Sequence, residues 1–411
     1  MGCCASAQHT AQHGILESEV FFQKYALGKK IGEGAFGQVR LTTDLQTKQS
    51  FAVKIADVRA RQDGGKVVVN PKRKAAIERE IEMWQLASSS GLPEITQLIE
   101  CFYSLGFYYL VCEACEKNLM QHLLHVKTIS EDELGEVAAQ MLRSIAHVHF
   151  LGMVHRDVKP ENFLYGGPNG STLKLCDFGL ALRQPKKGKK LTGIGGTAPY
   201  MAPEILISSS GWPSNEGYDK EIDMWAMGVI LYLVLYGQFP YMPKGEATAD
   251  SMKTAIRSNS PPLAFPPIQA LAALGLVKKL LVRLPADRAT AEEARLDPFI
   301  SKASGAFGPT EVTVALSQAK EMAERLKEFQ VSASSQRDLE AKLKAMTAAR
   351  GGIWFSESEA VSPTQSQCSA TYRAEARIKK DKKPVSRDKF GTHSGVVSEE
   401  TKDVYPEAPL Q

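Results

Sequence analysis

His155-Arg156-Asp157-Val158-Lys159-Pro160-Glu161-Asn162, with Asp177-Phe178-Gly179 a short way on, concentrates three carboxylates, an amide and a lysine in one region. Those groups stand at the spacing that phosphoryl transfer to a hydroxyl requires. A carboxylate at Asp157 can orient an acceptor hydroxyl and take its proton. Asn162 and Asp177 offer hard oxygen ligands for Mg²⁺ ions that bridge phosphates. Each triplet alone means little, but the ordered set is hard to obtain by chance.

Upstream, Ile31-Gly32-Glu33-Gly34-Ala35-Phe36-Gly37-Gln38-Val39 forms a GxGxxGxV loop. Glycines there let backbone amides approach phosphates without interference from a Cβ. The same pattern occurs in dinucleotide-binding folds, which need a helix directly afterwards and an acidic residue about twenty positions on. Here the chain continues instead as a second strand, through Phe51-Ala52-Val53-Lys54.

HRDxxxxN with DFG, the glycine loop and the Ala-Val-Lys strand together resemble the protein kinase family, over residues 25–300. The resemblance implies ATP and Mg²⁺ as cofactors, bound by the loop from Ile31 to Val39. Lys54 would pair with the α/β-phosphates, Asp157 would be the catalytic base, and Lys159 would neutralise the transferring phosphoryl group. Asn162 and Asp177 would hold the metal. Glu78, Glu80 and Glu82 compete as partner of Lys54, and Arg79-Glu80-Ile81 resembles the family segment that selects Glu80. Ala52 and Val39 would sandwich the adenine, Cys112 would precede the hinge, and Glu113 to Cys115 would contact the adenine edge.

The same resemblance gives structural roles further on. Ala202-Pro203-Glu204 would end the activation segment, Glu204 would pair with Arg288, and Asp223 would hold the catalytic-loop backbone. Thr197 would support Asp157 and Lys159. Lys-Pro-Glu-Asn resembles serine/threonine rather than tyrosine kinases. Thr192 is a candidate phosphosite for Arg156, although Gly193 occupies the family's usual position. Leu119 stands where relatives that read an arginine carry glutamate, leaving Glu161 for a basic motif.

The chain's 411 residues, 43% hydrophobic and 23% charged, read as a globular protein with a net charge of only +4, which gives no argument for nucleic acid. The scattered cysteines are read as buried residues or free thiols of a reducing compartment. Strand patterns give way to helical ones after Leu119, predicting an α+β, two-lobed protein kinase fold. Its small antiparallel-sheet lobe with one main helix would be residues 25–113, and its larger, mainly helical lobe 116–300. Residues 1–24 read as a flexible anchor, 301–350 as a helical regulatory segment, and 351–411 as a disordered tail.

The opening Met1-Gly2-Cys3-Cys4-Ala5-Ser6 matches the pattern for myristoylation of Gly2, with Cys3 and Cys4 as palmitoylation candidates. Two lipids would place the protein on the cytoplasmic face of a membrane, the plasma membrane first, and in the cytoplasm if they are lacking. Gly-Thr-Ala before Tyr-Met-Ala-Pro-Glu resembles the calmodulin-regulated and calcium-dependent kinase group. Val312, Ala315, Ala319, Met322, Leu326 and Phe329 recur at helical spacing. This stretch resembles the junction segment of calcium-dependent kinases. No EF-hand pattern is present, so a calcium response would need an external calmodulin-like sensor. Protein substrates are the expected partners. The rival expectations are a pseudokinase scaffold and a kinase acting on lipids or small molecules.

Overall fold

The computed structural model describes residues 16–17, 19–34, 37–61, 67–186, 189–208, 217–243, 245–301 and 311–313. The small lobe runs β1 (Leu16–Glu17), α1 (Glu19–Lys24), β2 (Tyr25–Gly34), β3 (Gly37–Asp44), β4 (Ser50–Asp57), β5 (Arg59–Arg61), β6 (Val67–Val69), α2 (Pro71–Ser88), β7 (Leu98–Ser104) and β8 (Phe107–Glu113). Its main sheet has the order β1-β7-β8-β4-β3-β2. All pairs are antiparallel except β1 with β7.

Alternation along β4 and β8 divides this sheet into two faces, because successive side chains point to opposite sides. Val53, Ile55, Tyr109 and Val111 bury themselves on one face with Phe21, Phe22, Tyr25, Phe102 and Phe107. Ala52, Ala56, Leu110 and Cys112 belong to the other face, which joins the main core. Lys54 shares that second face and is thereby aimed into the space between the lobes. Sequence reading and fold agree on the α+β two-lobed class.

The anchor expectation for residues 1–24 needs correction at its C-terminal end. Glu19–Lys24 is helical, and Phe21 stacks on Tyr109 at 4.6 Å between ring centroids. Burying two adjacent phenylalanines against the sheet releases them from water, which a free leader could not do. Gly2, Cys3 and Cys4 lie outside the described residues.

α2 starts cleanly. Pro71 occupies its first turn, and Asn70 caps it by accepting from the amides of Lys72 and Arg73. Trp84, one of its buried residues, donates its indole N–H to the Thr96 carbonyl at 2.6 Å.

The large lobe follows with α3 (Leu119–His125), β9 (Thr128–Ser130), α4 (Glu131–Phe150), β10 (Met153–Val154), β11 (Phe163–Gly166), β12 (Thr172–Leu175) and β13 (Leu182–Arg183). Then come α5 (Pro203–Ser208), α6 (Glu221–Tyr236), α7 (Ala249–Ser258), α8 (Leu271–Leu280), α9 (Ala291–Arg295), α10 (Pro298–Ser301) and β14 (Glu311–Thr313). α4 opens with a capping box between Ser130 and Glu133. α6 is apolar nearly all round, and every residue from Ile222 to Leu235 is buried, so it forms the centre of the lobe. Among the described residues no helix is long and apolar enough to cross a membrane.

β14 overturns part of the helical expectation for 301–350. Glu311, Val312 and Thr313 pair antiparallel with Ser130, Ile129 and Thr128. β9 offers an edge whose backbone groups need partners, and a Val-Thr pair suits a strand better than a helix. The rest of 301–350 beyond Ser301, and all of 351–411, lie outside the described residues.

Candidate active site

Strand β4 and helix α2 converge on one ion pair. Lys54 Nζ lies 2.6 Å from Glu80 Oε1 and 3.1 Å from Asp177 Oδ1. Glu80 is 3% exposed, whereas Glu78 instead accepts from the Tyr108 hydroxyl and Glu82 from Arg183. Of the three competing glutamates, Glu80 alone reaches Lys54. Burial opposes the charge on Lys54, but the carboxylates of Asp177 and Glu80 outweigh it and hold its ammonium well above the usual lysine range. Lys54 in turn draws Asp177 down to about 2, against its burial, so this carboxylate is charged at any physiological pH. Glu80 goes the other way, because burial outweighs the help from Lys54 and raises it.

Asp177 itself has φ +62°, in the left-handed region that side chains other than glycine rarely adopt, as has Arg156 at +69°. Such backbone persists only where surroundings fix it. Behind Asp177, the Phe178 ring is fully buried, 6.3 Å from Trp84 of α2 and 5.3 Å from His155. That stack ties α2, and so Glu80, to the catalytic loop.

The loop is also held from below. Buried Asp223, near the start of α6, accepts from the backbone amides of His155 and Arg156, each at 2.8 Å, and meets His149 Nε2 at 2.9 Å. These contacts are the ones expected of a residue that holds the catalytic-loop backbone. Burial would raise its carboxyl, yet the contacts with His149 and His155 hold it below the ordinary value.

Above this floor, the Asp157 carboxylate is held by three side chains. Its Oδ1 accepts from Thr197 Oγ1 at 2.7 Å, and its Oδ2 from Lys159 Nζ at 2.6 Å and Asn162 Nδ2 at 3.2 Å. Lys159 also donates to Thr197 at 3.0 Å, which closes a triangle of side chains. The Asp157 carboxylate, opposing burial, raises Lys159 above its ordinary value. The site thus brings Asp157, Lys159, Asn162 and Thr197 together in one cluster, and Lys54, Glu80 and Asp177 in another.

This donor set suits Mg²⁺ and a nucleotide. Asn162 uses its amide N–H₂ on Asp157, which leaves its side-chain oxygen as a hard ligand, and the charged Asp177 offers a second. Among the described residues no group of three His, Cys, Asp or Glu is placed to hold a metal ion. The glycine loop forms the turn between β2 and β3, with Gly32 opposite Val39, Glu33 opposite Gln38 and Gly34 opposite Gly37. A Cβ on Gly37 would lie 1.8 Å from the Ile55 carbonyl, so only glycine lets the loop close on β4. Ile31 and Glu33 are exposed, and Glu33 pairs with Lys30. Gln38 is buried, Val39 partly so, and Ala52 faces inward. Ala35 and Phe36 lie outside the described residues.

The adenine-edge expectation changes in detail. The Glu113 carboxylate accepts from the Gln97 amide at 2.8 Å and pairs with Lys174 at 3.1 Å. Its side chain is thus committed elsewhere, and a base edge would be met by backbone. Cys115 packs its thiol against Gly166, and Glu116 donates its amide to the Tyr165 carbonyl at 2.9 Å. Cys112 and Cys115 have two residues between them, a C-x-x-C spacing at odds with reading the cysteines as scattered. Burial raises the thiols of Cys112 and Cys176, and that of Cys115 to about 12, which suits packing rather than reactivity.

Sequence reasoning missed the contact between Arg156 and Tyr218. Arg156 Nη2 donates to the Tyr218 hydroxyl at 2.6 Å. Only the register between two distant loops could have signalled it.

Comparison with known proteins agrees with this geometry. The protein kinase domain family profile matches residues 25–300. The chain is 32% identical over 285 residues to calcium/calmodulin-dependent protein kinase type II subunit delta of Oryctolagus cuniculus, covering 68% of this chain and 50% of that protein. It is 32% identical over 292 residues to the phosphorylase b kinase gamma catalytic chain, liver/testis isoform, of Bos taurus, covering 69% of this chain and 68% of the relative. The match thus spans half the length of the first relative and about two thirds of the second. On its profile match and its paired ion clusters, this chain belongs to the protein kinase domain family.

Proposed function

We propose that this chain is an active protein serine/threonine kinase that transfers the γ-phosphate of ATP, with Mg²⁺, to serine and threonine hydroxyls of protein substrates. The observation that carries this reading is the triangle of Asp157, Lys159 and Thr197. Three donors orient the Asp157 carboxylate, so that it can fix an incoming hydroxyl and accept its proton late in the transfer. Lys159 supplies positive charge where the phosphoryl group passes, without reorganisation during the reaction. Lys54, fixed by Glu80, is aimed at the α/β-phosphates, while Asn162 and Asp177 would hold the metal. A metal held by Asn162 and Asp177 would supply positive charge against the negative charge that develops during the transfer.

A pseudokinase would be expected to lose Lys54, Asp157, Asn162 or Asp177, and all four stand. A lipid or small-molecule kinase has no use for the Thr197-to-Glu204 platform, which the buried Arg288 supports. Phosphorylation of peptide arrays, comparing wild type with Asp157→Ala, tests the reading. Labelling that survives in the variant, or that appears on lipid and never on peptide, would overturn it.

Lipid attachment at Gly2, with palmitoyl groups on Cys3 and Cys4, would hold the enzyme at the cytoplasmic face of the plasma membrane. The coincidence of Gly2, Ser6 and the cysteine pair supports this, and fractionation of a Gly2→Ala variant tests it. Unchanged membrane association in that variant would end the idea. The apolar positions Ala315, Ala319, Met322, Leu326 and Phe329 support a regulatory helix that binds a calmodulin-like sensor and restrains the active site. The name of the rabbit relative points the same way. Basal activity unaltered by deletion after residue 305, with no calmodulin capture, would remove that reading.

A further inference from the structure

Arg156 immediately precedes the proposed base, and its guanidinium has no carboxylate partner among the described residues. It donates to the Leu180 carbonyl at 3.2 Å and to the Tyr218 hydroxyl at 2.6 Å. The guanidinium lies 5.6 Å from the centre of the Tyr218 ring. The Tyr218 O–H in turn donates to the Gly193 carbonyl at 2.8 Å. One hydroxyl thereby uses both its accepting and its donating capacity to join the catalytic loop to the activation segment.

The backbone repeats this join. Leu191 and Tyr218 exchange two hydrogen bonds, both 2.9 Å, as an isolated antiparallel bridge. Gly217 makes that possible, since its φ is +80° and a Cβ there would lie 2.2 Å from the Leu191 carbonyl. Tyr218 is 2% exposed, and burial raises its phenol, so it stays a neutral donor. Position 193, beside Arg156 and Tyr218, carries no side chain, and Thr192 is exposed. A phosphate on the segment would compete with the Tyr218 hydroxyl for Arg156 Nη2, although the buried Nε of Arg156 has no hydrogen-bond partner among the described residues.

We propose that Tyr218 is a positioning residue that orders the activation segment against Arg156 and so makes phosphorylation of that segment unnecessary for activity. The proposal rests on the kinase reading above. It differs from the sequence expectation for Thr192, whose modification would then be dispensable.

The test uses the full-length chain. Tyr218→Phe keeps the ring and the Leu191 bridge and deletes only the hydroxyl. Amide hydrogen exchange across 189–196 should accelerate at least about tenfold, the loss expected for a hydrogen bond to a charged group, while melting stays cooperative. Unchanged exchange overturns the proposal, whatever the activity. In a peptide assay, Tyr218→Phe should lower kcat about tenfold with the KM for ATP unmoved, and add nothing to an Arg156→Ala variant. Thr192→Ala and phosphatase-treated wild type should keep full activity. Additive losses in the double variant, or activity abolished by phosphatase, would refute it. An inactive wild type would defeat the kinase reading alone, and the exchange measurement would still decide the role of Tyr218.

Discussion

Arg288 grips Glu204 with both terminal nitrogens, Nη1 to Oε1 at 2.6 Å and Nη2 to Oε2 at 3.1 Å. The arginine side chain has no exposed surface and also reaches the carbonyls of Val282 and Glu221. Removing one partner strands the other without water. Arg288→Ala should therefore cost about 3–5 kcal/mol in urea unfolding, and Glu204→Ala a similar amount. An Arg288→Met/Glu204→Leu pair should cost less than either alanine, because no buried charge is left behind. A double variant weaker than both singles would contradict the assignment.

Catalysis should depend on Asp157 far more than binding does. Asp157→Asn preserves shape but removes the charge that Lys159 and Thr197 orient. It should lower kcat roughly 10²- to 10⁴-fold, with the KM for ATP little changed.

Thr197 contributes through its hydroxyl alone. Thr197→Val should lower kcat on the order of tenfold by breaking the bonds to Asp157 and Lys159. Thr197→Ser should recover most of it. Equal loss in both variants would point to packing instead.

Acid should expose the charge on Asp177. Its carboxyl is lowered from 3.8 to about 2 by Lys54, so its stabilisation is complete above pH 3.8 and fades as pH falls towards 2. Glu80, shifted upwards by burial and in part by Asp177 itself, is removed from the comparison by Glu80→Gln. In that background, Asp177→Asn should cost stability at pH 5 and cost progressively less between pH 4 and pH 2, followed by urea melts. A constant difference would place the lysine contact elsewhere.

The aromatic face of the small lobe predicts a stability effect far from the chemistry. Phe21→Ala removes a fully buried ring stacked on Tyr109 and should cost about 3–5 kcal/mol. No change would mean that α1 is not part of the folded unit.

Much of this was legible from residue order because the chemistry sits on local motifs. HRDVKPEN, DFG and Ala-Val-Lys each lie on one strand or loop, so spacing alone could order them. Glu80 was harder, since three glutamates share its helix and only burial against Lys54 separates them. Glu113 shows the opposite difficulty: a residue at the right position whose side chain is claimed by Gln97 and Lys174. The docking of α1 was hidden because Phe21 and Phe22 find their partners on β7 and β8, some eighty residues away. β14 was misread because its apolar spacing also fits a helix, and only the open edge of β9 decides for a strand. Tyr218 is likewise a long-range matter, joined to Arg156 across sixty-two positions.

The pairing of β1 with β7 has a consequence for where this enzyme can work. If Gly2 carries a lipid, the first residue held by the sheet is Leu16 instead of Tyr25. The thirteen residues between Gly2 and Leu16 span fourteen Cα–Cα steps, at most about 50 Å when fully stretched. That length would bound how far Leu16 can stand from the membrane, so substrates on the same membrane patch would be met at high effective concentration. Target choice would then be a matter of address as much as of motif.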